Sequence, residues 1–489
     1  MKIKKGTIMK RPHLLLLALL ILAARPAPAQ TAAPALGMGQ LCGEVTTASA
    51  VLQARLSAGT KLAAGDLPGA RGWGRFELAA SPQFTNSTFT PWAEATPERD
   101  FIIKQAVTGL KPATRYHYRL VYGPGRDSAR TAPACAFRTL GGGASVEPVS
   151  IAVVTGMNYA FYHHGTTGIP PRPDADPAVG YPALASMLKL APDYFVGTGD
   201  NVYYDAPPAA SARTEAAMRR KWHEQFVQSR FHDLFASVAT YWEKDDHDYR
   251  YNDADLTGKT KPSNELGRRV FFEQLPLADF SDAQFIPYRT FRVSKDLQIW
   301  LTEGREFRSP NAMPDGPNKT LWGLKQREWL KRTLLASDAT FKILISPTAL
   351  IGPDTAAKLD SHANLKGFYT EGREFIGWLK KEKLLERNFY VICGDRHWQY
   401  HSIDPSGLEE FCTGALVREN GVVGAFPGQR HSNDPEGKIR QPYHPREPMG
   451  GYLILSVRPA QDGKPATATV NFYDEEGKAI YTVEKAGRE

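Results

Sequence analysis

Tyr194 to Asp205 reads YFVGTGDNVYYD. The opening Tyr-Phe-Val-Gly-Thr run has the length and apolar character of a strand buried on both faces. A Gly-Asp turn then brings Asp200, Asn201, Tyr203, Tyr204 and Asp205 into one short loop. Oxygen donors crowded at a strand end form either a polar turn or one wall of a cation site, because open α/β sheets bind ligands beyond the carboxyl ends of their strands. Two further stretches bear on the choice. ATYWEKDDHDYRYND, Ala239 to Asp253, leaves its apolar run through Asp245, Asp246, His247 and Asp248, with Asn252 and Asp253 close behind. NFYVICGDRHW, Asn388 to Trp398, exits through Gly394, Asp395, Arg396 and His397. One such exit is ordinary turn chemistry. Three in succession imply that carboxylates, histidines and a phenol converge.

Around these stretches, strand-like runs (VSIAVVTG, LQIWLTEG, TFKILISPT) alternate with helical segments (YPALASMLKLA, QREWLKRTLLAS, GREFIGWLKKEKLLER). That alternation predicts an α/β domain over residues 146–489. Residues 30–140 differ: short alternating stretches punctuated by turns predict an all-β sandwich. VTGLKPATRYHYRLVYG within it resembles the signature of fibronectin type III-like domains, and LGGGAS, Leu140 to Ser145, reads as a linker.

The first 29 residues read as a secretory leader: a basic start, an apolar core from Leu14 to Ala24, and small residues at Ala27 and Ala29. Met9 is an equally good start. The apolar run falls short of the roughly 20 residues a membrane span needs, and no later run is longer. The leader holds six basic residues and no acidic one, so six of the formal +8 charges leave with it. The basic balance is then no argument for a nucleic-acid partner. An exported protein is expected, periplasmic or extracellular. Cys42, Cys135, Cys393 and Cys412 form no CxxC, which excludes a zinc ribbon. A Cys42–Cys135 bridge suits an oxidising compartment, while Cys393 and Cys412 read as buried thiols on neighbouring strands.

The motifs together resemble the calcineurin-like metallophosphatases, and most closely their alkaline phosphatase D (PhoD-like) group. GDNVYYD is similar to that group's GD-x-x-Y loop, KDDHDYRYND to its DDHE-x-x-x-N block, LTEGREFRS to its Asp-x-Arg-x-x-Arg strand end, and ICGDRHW to its closing GD-x-H. DSHANLKGFYTEGREFIGWL is similar to the segment before its last helix. The fold class implied is an α/β (α+β) metallophosphatase β-sandwich with flanking helices, preceded by a fibronectin type III-like domain. The implied activity is metal-dependent hydrolysis of phosphate esters, because two cations about 3.5–4 Å apart clamp a phosphate and generate hydroxide at neutral pH.

The resemblance also implies roles. Asp200 bridges the ions, Tyr203 offers a phenolate, and Asp246 holds the second ion with help from Asn252. His397 is a metal ligand, with Asp395 a ligand or its support. His247 protonates the departing alkoxide, with Asp248 orienting its ring. Arg305, Arg308 and Arg396 hold phosphate oxygens, since guanidinium fits that geometry. The ions implied are Ca²⁺ with Fe³⁺, with Zn²⁺ or Mn²⁺ as alternatives.

The chain departs from the family where Gly156 stands in place of a Cys ligand and only Ser346 stands where a strand-end His is usual. Asn158, His163 or His164 are candidates to replace the first. His362, with Asp360 or Asn364, is the candidate for the second. The leader has Lys10-Arg11 rather than twin arginines, which suits export by the general route at least as well as by the twin-arginine one, and loading in the periplasm would favour calcium or zinc over iron. WHEQFVQ lacks the second His of a zincin, TGKT lacks the first glycine of a P-loop, and no G-x-S-x-G elbow exists. The rival to an enzyme is a degenerate relative that binds a phosphorylated or glycan ligand without turnover.

Overall fold

In the strand Val149–Val154, Ile151 and Val153 face a central core while Ala152 and Val154 face a second one. Tyr194–Thr198 repeats the pattern, with Tyr194 and Val196 turned centrally and Phe195 outward. This alternation, hidden in runs that look uniformly apolar, gives each strand two buried faces. The computed structural model describes residues 33–278 and 286–488; the expected leader lies outside them.

Val149–Val154, Tyr194–Thr198 and Ala239–Glu243 run parallel in a nine-stranded sheet. Leu297–Leu301, Phe341–Ser346 and Phe389–Cys393 run parallel in a seven-stranded one. Ile299, Leu301, Ile343, Ile345 and Ile392 of the second sheet share the central core with Ile151, Val153 and Val196 of the first. Helices cover both outer faces. Leu184, Trp222, Phe226 and Phe271 pack on the first sheet, and Leu330, Leu334, Phe375 and Leu379 on the second. The chain is therefore the expected β-sandwich flanked by helices, with an all-β region before it.

That N-terminal region is more integrated than its composition suggests. Gly72–Ala79 and Arg115–Gly123 pair in a separate six-stranded sheet. Gln40–Gly43, Ser49–Arg55 and Ile102–Thr108 instead extend the nine-stranded sheet, with Gly43 beside Thr240 in parallel register. Residues Pro34–Glu489 accordingly form one compact unit. Among the described residues no helix is long and apolar enough to cross a membrane. All four thiols are buried and free, so the expected Cys42–Cys135 bridge is not formed; Gln40 Nε2 donates to Cys135 Sγ at 3.3 Å instead. Cys393 and Cys412 are opposed on adjacent parallel strands, as expected.

The His of WHEQFVQ has a structural use. His223 Nδ1 lies 2.7 Å from Asp66 Oδ1, and Nε2 lies 2.7 Å from Asp100 Oδ2. Arg55 pairs with the other Asp100 oxygen at 3.0 Å, and Gln274 Nε2 donates to Oδ2 at 2.8 Å. The N-terminal region is thus clamped to two helices. Burial pushes the Asp100 carboxyl up, but His223 and Arg55 outweigh it and hold it well below the usual range. Its stabilisation is full above about pH 4 and is lost as pH falls toward the folded-state value. His223→Ala is expected to cost about 3 kcal/mol in urea unfolding at pH 7, and less at pH 3, where the carboxylate of the unfolded chain already takes up its proton.

Candidate metal centre

The loops that leave the parallel strands meet because their backbones take conformations few side chains tolerate. Gly199 has φ +92, and a Cβ there would lie 2.5 Å from the Asp245 Cβ, so glycine lets two carboxylate-bearing loops touch. Asp200, Asp253 and Asp395 all sit in the left-handed region, at φ 54, 56 and 58. For side chains other than glycine that costs on the order of 1 kcal/mol each, and Asp is among the residues that bear it best.

Three groupings result, each with its ligand atoms within 4.8 Å of one another: Asp200, Asp246 and His247; Asp245, Asp246 and Asp395; Asp246, Asp253 and Asp360. Asp246 is common to all three, which makes it, rather than Asp200 alone, the central carboxylate. Beside the first, the Tyr203 hydroxyl donates to Asp200 Oδ2 at 3.0 Å. His397 Nε2 lies 3.0 Å from that oxygen and 3.1 Å from the Tyr203 oxygen. Several oxygens here are buried without any hydrogen-bond partner: Asp200 Oδ1, Asp245 Oδ2 and both of Asp360. Buried carboxylates left in this condition are costly, and a cation is the partner that suits them. The donor set fits metal ions.

Electrostatics agree. Burial, with Asp246 and Asp200 as neighbours, pushes the Asp245 carboxyl up against the pull of Arg305. Burial, the Asp360 charge and Asp246 raise Asp253 to about 6 despite Lys358. Burial and the negative charge of Asp200 raise the Tyr203 phenol. Burial alone would lower His247, but Asp246, Asp200 and Asp205 outweigh it and lift the imidazole to about 10. The site concentrates negative charge, as a metal centre needs.

Several sequence expectations take a different form. His247 Nδ1 lies 2.6 Å from Asp205 Oδ1, so Asp205 and not Asp248 orients the ring. Asp248 turns inward and accepts from the Asp245 backbone N–H at 2.7 Å and from the Asn201 side chain at 2.6 Å. Asn252 is exposed and offers only its backbone N–H, to Asp205 at 2.8 Å; the next residue, Asp253, is the one that turns in. Arg305 is fully buried, with Nε on Asp245 Oδ1 at 2.6 Å and Nη1 on the Ala254 carbonyl at 3.0 Å. Arg308 donates to the Gly304 carbonyl, Asn311 Oδ1 and the Asp360 carbonyl. Arg396 pairs with Asp354 at 2.6 Å and with Asp395. All three guanidinium groups are thus engaged with the acidic loops, while Arg305 Nη2 and Arg396 Nε have no hydrogen-bond partner.

The replacement ligands are likewise engaged elsewhere. Asn158 Oδ1 caps a short helix by accepting from the Phe161 N–H at 3.0 Å. His362 Nε2 lies 3.1 Å from Glu371 Oε2, its ring is 4.4 Å from Trp322, and it joins none of the three groupings among the described residues. His163 packs against Tyr159 and Tyr162, and burial lowers it to about 4. At position 156 φ is +67, and a Cβ would meet the Ala415 Cα at 2.9 Å, so no ligand side chain fits there. Asn420 fills that space, its Nδ2 donating to the Gly156 carbonyl at 3.1 Å and to the Tyr203 oxygen at 2.7 Å. Asp205, Asp253, Lys358 and Asn420 had no assigned role in the sequence reading. The first two were visible as acids near a strand exit, and the last two carried no signal.

Residues 152–459 match the PhoD-like phosphatase family, and residues 22–141 match its N-terminal domain. Alkaline phosphatase D of Bacillus subtilis (strain 168) is 23% identical over 91% of this chain and 79% of its own length. The solved structure of PhoD superposes with a TM-score of 0.71 at 20% identity, covering 94% of this chain and 90% of that one. A purple acid phosphatase from yellow lupin, Lupinus luteus, gives 0.59 at 12% identity, over 93% and 74%. With its carboxylate-lined centre and these matches along nearly its whole described length, the chain belongs to the PhoD-like phosphatase family and is a metallophosphatase.

Proposed function

We propose that this chain is an exported phosphoesterase that works with at least two bound cations and cleaves phosphodiesters, phosphomonoesters or both. The observation that supports it most is the convergence of three acidic groupings on Asp246 with four buried carboxylate oxygens that have no hydrogen-bond partner. Asp200, Tyr203 and His397 would hold one ion, with a mixed donor set suited to Fe³⁺, Zn²⁺ or Mn²⁺. Asp246, Asp253 and Asp360 would hold another, with oxygen donors suited to Ca²⁺. Bound there, the ions would offset the charge of the phosphate and acidify water. His247 has Nδ1 fixed on Asp205, which leaves Nε2 to give its proton to the departing oxygen. The leader at residues 1–29 would place the protein in the periplasm or outside the cell.

The test is hydrolysis of bis-(p-nitrophenyl) phosphate with and without a chelator, alongside metal analysis of the purified protein. Activity lost in chelator and restored by Ca²⁺, Mn²⁺ or Zn²⁺ is the expected result. Full activity in chelator overturns the proposal, and metal-replete protein without turnover points to a phospho-ligand binder.

A further inference from the structure

Besides the imidazole of His247, four cationic side chains act on Asp246 or Asp360: Arg305, Arg308, Arg396 and Lys358. The three arginines are at most 3% exposed and already donate to protein acceptors. Lys358 differs. Its side chain is 29% exposed, and its ammonium pairs with Asp253, whose side chain is 34% exposed. That same Asp253 carboxylate lies within 4.8 Å of the Asp246 and Asp360 carboxylates, and both Asp360 oxygens are buried without a hydrogen-bond partner. A divalent ion taken up by these three carboxylates and an ammonium held on one of them would repel each other strongly. The two cations therefore compete at Asp253. Only one of them is tethered by a flexible four-carbon stem that already reaches solvent.

We propose that Lys358 is a substrate-binding residue controlled by the metal: cation binding displaces its ammonium from Asp253, and the freed group takes an oxygen of the phosphate ester. This rests on the reading of the site as a metal-dependent phosphoesterase. It gives the centre the mobile cationic contact that the braced arginines do not provide, and it couples anion affinity to metal loading.

Labelling with an amine-reactive ester, read at the Lys358 peptide by mass spectrometry on the whole chain, tests the idea. Adding Ca²⁺ or Mn²⁺ to chelator-treated protein is expected to raise Lys358 labelling about fivefold. Inorganic phosphate should reverse that rise, and should have no effect before the metal is added. Lys358→Met should bind the cation about fivefold more tightly while its inhibition constant for phosphate rises about tenfold. Lys358→Arg should retain phosphate inhibition. Labelling that ignores a cation shown to bind, or cation affinity unchanged in Lys358→Met, overturns this assignment alone. Wild-type protein that binds no divalent ion overturns the phosphoesterase reading, and this assignment with it.

Discussion

Asp200→Ala is expected to lower kcat/KM for bis-(p-nitrophenyl) phosphate by about a thousandfold or more, with bound metal falling in parallel. One Asp200 oxygen lies 3.0 Å from both the Tyr203 hydroxyl and His397 Nε2. The other is buried with no partner. Removing the carboxylate would take one ligand from the proposed ion and would leave the phenol and imidazole without the group that organises them. At about 1.4 kcal/mol per tenfold, a thousandfold loss corresponds to about 4 kcal/mol of transition-state stabilisation, an ordinary share for one metal ion. The φ of 54 at this position makes alanine strained by on the order of 1 kcal/mol, too little to unfold a domain of this size. Circular dichroism and the thermal midpoint would establish that the variant folds, and Asp200→Asn keeps a side chain tolerant of that backbone while removing the charge. A folded Asp200→Ala protein retaining a tenth of wild-type activity would remove Asp200 from the reacting centre.

The sandwich and the strand exits were legible because burial on both faces leaves a long apolar run, and because a Gly-Asp pair marks its end. Tyr194–Thr198, Ala239–Glu243 and Phe389–Cys393 all read that way. The pairing of Gln40–Gly43 with Ala239–Glu243 was not legible. It joins segments some two hundred residues apart, and nothing in either edge encodes the other. Inside the site, adjacency in sequence misled in both directions. Asp248 follows His247, yet the turn points it at Asn201, and the imidazole meets Asp205 from another loop. Asn252 and Asp253 differ by one position, and the left-handed backbone at Asp253 decides which of them faces Asp246. The arginines carry the right charge for phosphate, but their acceptors include the carbonyls of Gly304, Ala254 and Asp360. A backbone carbonyl leaves no trace in side-chain chemistry. The missing Cys ligand was visible as Gly156; that Asn420 fills its place required the folded contact with Tyr203.

The second large effect concerns the proton. His247→Gln is expected to slow hydrolysis of esters with alkoxide leaving groups by about 100- to 10,000-fold, and to affect p-nitrophenolate departure far less, because that anion leaves without protonation. The leaving-group dependence separates a lost acid from a generally damaged site, which would slow both. The two carboxylates near the ring then divide the remaining roles. Asp205 holds Nδ1 at 2.6 Å, so Asp205→Asn should reproduce the same leaving-group bias at about 10- to 100-fold, with KM little changed. Asp248 accepts two backbone N–H groups and one side-chain amide. Asp248→Asn should therefore lower the unfolding midpoint and affect both leaving groups alike. If Asp248→Asn shows the bias and Asp205→Asn does not, the imidazole is oriented from within its own turn, and the contact drawn across the two loops is not the one that matters in turnover. The geometry favours Asp205, because its carboxylate meets the ring nitrogen directly while every recorded partner of Asp248 lies on the loop backbone or on Asn201.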